Sequence, residues 1–243
     1  MTSPDDAMDV DEKPSKEVVE IKGPAVVKES TKPKRKGPPS SSSAPTTKKV
    51  SWVAPPSDPE ELGSSWNSEN STQSKLVQFL ARWPPSRTPD EYGPWISVNR
   101  GGMKNVTQNL EGLTADFQSL LSGNNVKPDT LDQIAKTNNV LLGKWMVFEE
   151  SSKIDMLWGK IVNYLCTERK KGFAKVSTFK EDEKHVICIY VDDYTDKEEV
   201  TALRKALRGL GVKWKIGFKP DAYTHLSIYK DNPWKIRPSR YMQ

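Results

Sequence analysis

The sequence predicts an α+β fold, a curved and mostly antiparallel sheet with helices stacked on one face, and three stretches predict it. Gly143 to Leu165 reads as a strand, a polar Glu-Glu-Ser-Ser turn and a long amphipathic helix whose Ile154, Leu157, Trp158, Ile161, Val162 and Leu165 recur at three- and four-residue steps. His185 to Val191 is apolar on both faces, the mark of an interior strand. Val212 to Lys219 alternates, with Val212, Trp214, Ile216 and Phe218 on a core face and Lys213, Lys215 and Lys219 as a basic stripe on the other. Helices gathered on one side leave the opposite face to a ligand.

Residues 1–73 read as a disordered tail and residues 74–243 as one domain. Residues 1–70 hold ten of the eighteen prolines and a four-serine run, with almost no periodic apolar pattern. Within that tail, Lys32-Pro33-Lys34-Arg35-Lys36 is a basic cluster of the kind import receptors read, though such clusters also arise by chance in solvated tails. Trp52 and Trp66 are unusual there, and are either docking anchors or rings that fold back on the domain. Order begins near Ser74 with a short helix carrying Leu76, Phe79 and Leu80, stopped by Pro84-Pro85. Trp95 to Val98 is a first strand closed by Gly101-Gly102.

Thr114 is the expected cap of a helix through Ser122, and Pro128 opens a second through Asn138. After the central helix, Phe173 to Phe179 is a strand, and Glu181 to Lys184 turns it into His185 to Val191. Thr195 and Glu198 form the expected capping box of the next helix, which Gly209 and Gly211 stop. A last strand is expected at His225 to Tyr229.

Among the 243 residues the charge is uneven. Residues 1–70 carry 10 Lys and Arg against 12 Asp and Glu, a balance of −2, so with a total of +5 the rest of the chain carries +7. A basic domain favours a polyanion such as RNA. Cys166 and Cys188 have no metal-ligand spacing, and no apolar run approaches 18 residues. The expectation is an intracellular protein, cytoplasmic with a nuclear option through the basic cluster, without membrane, metal or cofactor.

No catalytic constellation stands out, so no enzyme is expected. His185 and Cys188 lie three apart on a strand and point to opposite faces, Asp192 and Asp193 read as acids near a helix N-terminus, and Gly209-Leu210-Gly211 follows a helix where a phosphate loop opens one. The RNA- or nucleotide-binding candidates are Lys175, Lys213, Lys215, Lys219, His225, Tyr229 and Trp234, cations to hold phosphates and rings to stack on bases. His225 also reads as a hydrogen-bonded structural histidine, and the lysines also read as a solvated face.

The run Lys219-Pro220-Asp221-Ala222-Tyr223-Thr224-His225-Leu226, with Ile228-Tyr229 and Asn232-Pro233-Trp234, resembles an uncharacterised eukaryotic family that includes the basophilic leukemia expressed protein. With Gly143-Lys144-Trp145 and Asp155-Met156-Leu157-Trp158, the resemblance spans roughly Trp95 to Tyr241. It implies a fold similar to the mRNA cap-binding translation initiation factor of the 4E type. In that factor two tryptophans sandwich the cap base, whereas here no tryptophan occurs between Trp95 and Trp145. Stacking contributes about 1 to 3 kcal/mol per base, so the missing sandwich argues against orthodox cap binding.

The factor's phosphate-binding arginine falls at Ser177, with Lys175 on the same side of the strand. Its partner-binding dorsal helix resembles Leu113 to Leu120, with Gln118 in place of a characteristic tryptophan. Together these readings imply a non-enzymatic RNA- or nucleotide-binding module that uses the basic face of the sheet. The alternative is a protein-interaction scaffold that kept the fold, lost the ligand pocket, and meets partners through its tail or dorsal helices.

Overall fold

The structure, a computed structural model, describes residues 64–69, 72–104, 106–181 and 183–243. The expected tail lies outside the described residues as far as 63, and with it the Lys32 to Lys36 cluster and Trp52. Inside the stretch read as tail, Ser65–Asn67 is a strand, β1, and Trp66 folds back on the domain with only 2% of its surface exposed.

Helix α1, Gln73–Arg82, starts at Thr72, whose side chain accepts from the Lys75 backbone, and buries Leu76 and Phe79. Strand β2 is Trp95–Gly101. Helix α2, Leu110–Ser122, begins four residues before the expected Thr114 because Asn109 caps it by accepting from the Gly112 N–H, while the Thr114 hydroxyl donates to the Leu110 carbonyl inside the helix. Helix α3 is Pro128–Thr137, strand β3 is Gly143–Glu149 and helix α4 is Ser151–Asn163. A π-helical turn, Tyr164–Arg169, extends α4 until Lys170 takes a left-handed conformation (φ 52°). There the chain reverses into β4, Gly172–Ser177, and β5, His185–Val191. Helix α5 (Lys197–Gly209), strand β6 (Gly217–Pro220), short helix α6 (Asp221–His225) and strand β7 (Tyr241–Met242) follow.

The strands form one sheet in the order β1-β2-β4-β5-β3-β6-β7, antiparallel at every pairing except β1 with β2. Register sets Trp145 beside Ile189 and Phe218, Val147 beside Ile187, and Val176 beside Ile187 and Ile96. These residues share one face and one core with Leu113, Leu131, Ile154, Trp158, Ile161, Leu203 and Leu207 of the helices. The α+β architecture read from the sequence is the architecture observed, with β5 in the interior between β4 and β3.

Two expected strands are different structures. The eight-residue alternating strand shrinks to Gly217–Pro220, because the buried Arg204 guanidinium of α5 donates to the carbonyls of Val212, Trp214 and Gln243, while the Val212 N–H bonds to Leu207. Backbone groups held by a side chain are withdrawn from the ladder. Trp214, expected in the core, is 41% exposed. His225 to Tyr229 is not a strand either: α6 occupies its start, and the N–H groups of Leu226 and Ile228 bond back to Ala222 and Tyr223. A third difference is at α5, which Asp196 caps by accepting from Glu198 and Glu199, with Thr195 outside the helix on Asp193.

Candidate functional site: the sheet face opposite the helices

Alternation along each strand defines the second face. On β3 and β5 it pairs Lys144 with Tyr190, Met146 with Cys188 and Phe148 with Val186. On β4, Lys175 stands between Cys188 of β5 and Ser97 of β2, and on β6, Lys219 stands beside Lys144. None of these side chains belongs to the main hydrophobic core, although Cys188 and Tyr190 are themselves buried.

Three lysines on this face each lie over an aromatic ring. The Lys175 Nζ is 4.2 Å from the Trp95 ring centre, the Lys144 Nζ 5.3 Å from that of Tyr190, and the Lys219 Nζ 3.7 Å from that of Tyr229. All three lysines are 5–6% exposed, which makes them the floor of the face, while Phe148 and Tyr229 at its edges are about half exposed. Withdrawing an ammonium group from water is unfavourable, and the negative face of a ring returns roughly 0.5 to 2 kcal/mol per contact. Lys144 has an additional partner in Asp221, 3.2 Å away at the start of α6. Lys144 and Lys219 are direct neighbours in register, an arrangement in which like charges repel. Each ammonium lies over a different ring, Tyr190 for one and Tyr229 for the other. Phe173, on the same face of β4, has its ring centre 5.1 Å from that of Tyr190 and continues the aromatic surface.

The structure brings together three of the seven residues read from the sequence: Lys175, Lys219 and Tyr229. Lys213 and Lys215 are exposed in the segment between α5 and β6, off the sheet, since the strand that was to carry them is absent there. His225 is the last residue of α6 and half-buried. Trp234 packs on the helical side, its ring 5.1 Å from Phe117 of α2 and half-buried against the core. Lys144, Tyr190 and Trp95 complete the site and were not read as part of it. Parity was the available signal, because Lys144 and Tyr190 each precede or follow a core residue, Trp145 or Ile189, by one position.

Among the described residues, no helix is long and apolar enough to cross a membrane, and no group of three or more His, Cys, Asp or Glu side chains is placed to hold a metal ion.

Among solved structures, the chain is similar to schistosome eIF4E complexed with m7GpppA and 4E-BP, at 13% sequence identity and a TM-score of 0.33. That match covers 42% of this chain and 58% of the other, so the chain spans less than two-thirds of that protein's length. The segment 124–227, from just before α3 to just past α6, matches the model of the family described as basophilic leukemia-expressed protein Bles03, the family that the Lys219 to Trp234 motif resembles.

Proposed function

We propose that the chain is an RNA- or nucleotide-binding module whose sheet face opposite the helices receives phosphate and base without carrying out chemistry on them. One observation carries this reading: Lys144, Lys175 and Lys219 stand on a single face, each beside an aromatic ring. A phosphate needs fixed cations and a base needs a flat apolar surface, and alternating the two across neighbouring strands serves a ligand that alternates them along its own length.

The test is binding of short RNA oligonucleotides, capped and uncapped, across a salt series. Lys219→Met and Lys175→Met are expected to weaken binding about tenfold each and to flatten the salt dependence. Changing Lys213 and Lys215 to Ala, both off the sheet, is expected to alter affinity less than threefold. Equal losses from the two pairs would move the binding surface to the loop before β6, and no binding at low salt would end the proposal.

The second reading, a protein-interaction scaffold, is favoured by Val77 of α1 and Met156 of α4, apolar side chains more than 60% exposed on the helical layer. Partners captured from nuclease-treated extract and lost in Val77→Asp or Met156→Asp variants would support it.

A further inference from the structure

The last residue of β3, Glu149, is in register with the first residue of β5, His185. The chain then turns over the helical face into α4, whose first residue is Ser151. This handover sets the Ser151 Oγ 3.0 Å from the His185 Nε2, across 34 residues of sequence. The other ring nitrogen, Nδ1, is 2.9 Å from the Ser177 carbonyl oxygen. A carbonyl only accepts, so in the neutral ring Nδ1 holds the proton and donates it to Ser177, leaving the Nε2 lone pair to accept from the Ser151 hydroxyl. Serine, base and a fixed orienting acceptor thus stand in line, the geometry that activates a hydroxyl as a nucleophile.

The surroundings suit that chemistry. His185 is 1% exposed, so its ring is held by packing, while Ser151 lines an open cleft of about 600 Å³ together with Glu150, Ser152, Phe179, Lys180 and Lys184, through which substrate and water reach the pair. Phe179 supplies an apolar wall whose ring centre is 6.4 Å from the imidazole. The N-terminus of the thirteen-residue α4 opens at Ser151, and its partial positive charge favours an oxyanion forming on that atom's substrate. At the rim, a hydrogen bond and the charge of Lys184, 2.8 Å away, hold the Glu150 carboxyl below the usual carboxylate range, so that acid remains ionised.

We propose that Ser151 and His185 form an acyl-transfer site for small carboxylic esters whose acyl group lies on Phe179. The Ser151 Oγ adds to the ester carbonyl carbon and its proton passes to the His185 Nε2. The bond from that carbon to the alcohol oxygen then breaks, and the alcohol leaves with the proton. A water molecule attacks the acyl-serine through the same base, releasing the carboxylic acid and restoring the hydroxyl, so ester and water become acid and alcohol. Cys188, the nucleophile nearest to His185 in sequence, projects from the opposite face and takes no part. The site is independent of the lysine face, and either can fail without the other.

The test treats the full chain with a fluorophosphonate probe and locates the adduct by mass spectrometry, alongside hydrolysis of p-nitrophenyl acetate. The expected result is one adduct, on Ser151, abolished in Ser151→Ala and retained in Ser152→Ala. In His185→Gln, labelling is expected to fall at least 100-fold. If that variant fails to fold, the comparison of the two serine variants decides alone, because Ser152 is exposed and Ser151 only half-buried. No adduct, an adduct on another serine, or labelling unchanged by Ser151→Ala would overturn the site and leave the Ser151–His185 contact as a clamp between β5 and α4.

Discussion

At the level of single residues, burial decides what a side chain does here more than its chemical type. Cys166, in the π-helical turn, is a case with a measurable consequence. Burial, working against the nearby Arg100 charge, pushes its thiol up from 9.0 to about 11. Below pH 9 the thiol is protonated whether the chain is folded or not, and its contribution to stability does not change. Between pH 9 and 11 the unfolded chain releases the proton and the folded chain retains it, so stability falls as pH rises, by about 2 to 3 kcal/mol in all. Urea unfolding at pH 8.5 and pH 10.5 is expected to show this slope in the native chain and a smaller one in Cys166→Ala. The lysines follow the same rule. Lys175 and Lys219 were legible as cations on alternate strand positions, but their rings were not, because a contact such as Lys219 with Tyr229 depends on how the chain returns after α6. Lys144 was hidden for another reason: in Gly-Lys-Trp the bulky neighbour draws attention to the core face and away from the other.

Among the elements, those defined by local pattern were readable and those defined by distant side chains were not. Strands β3 and β5 have the expected bounds, and α4 starts one residue before the expected helix and passes into the π-helical turn two residues before its expected end, since apolar periodicity and a polar turn are local properties. The strand expected from Val212 was lost to Arg204, a residue on the preceding helix that no periodicity could implicate. The start of α5 separates two kinds of cap by experiment. Thr195 and Glu198 satisfy the capping-box pattern, yet Asp196 is the residue that accepts from the first free N–H groups. Asp196→Ala is expected to cost about 1 kcal/mol, visible as a lower urea midpoint with an unchanged slope. The alternative Thr195→Ala is expected to cost a few tenths, and the reverse order would restore the capping box.

For the molecule as a whole, the sheet divides the work between two sides. One side gathers the helices and nearly all large apolar side chains; the other carries lysines over rings. That division was predictable from the sequence, because strand alternation specifies two faces before any contact is known. What was not predictable was the strand at Ser65–Asn67. β1 joins the sheet as its one parallel edge and drives Trp66 into the core, from a stretch whose composition signals no structure. A shortened chain beginning at Thr72 therefore loses an indole from its interior, a loss on the order of 3 to 5 kcal/mol. A version beginning at Ser64 keeps it, and the two are expected to differ in thermal midpoint by about 6 to 20 degrees. The three residues Ser65–Asn67 behave like a keystone set after the arch: small, early in the chain, and felt throughout when withdrawn.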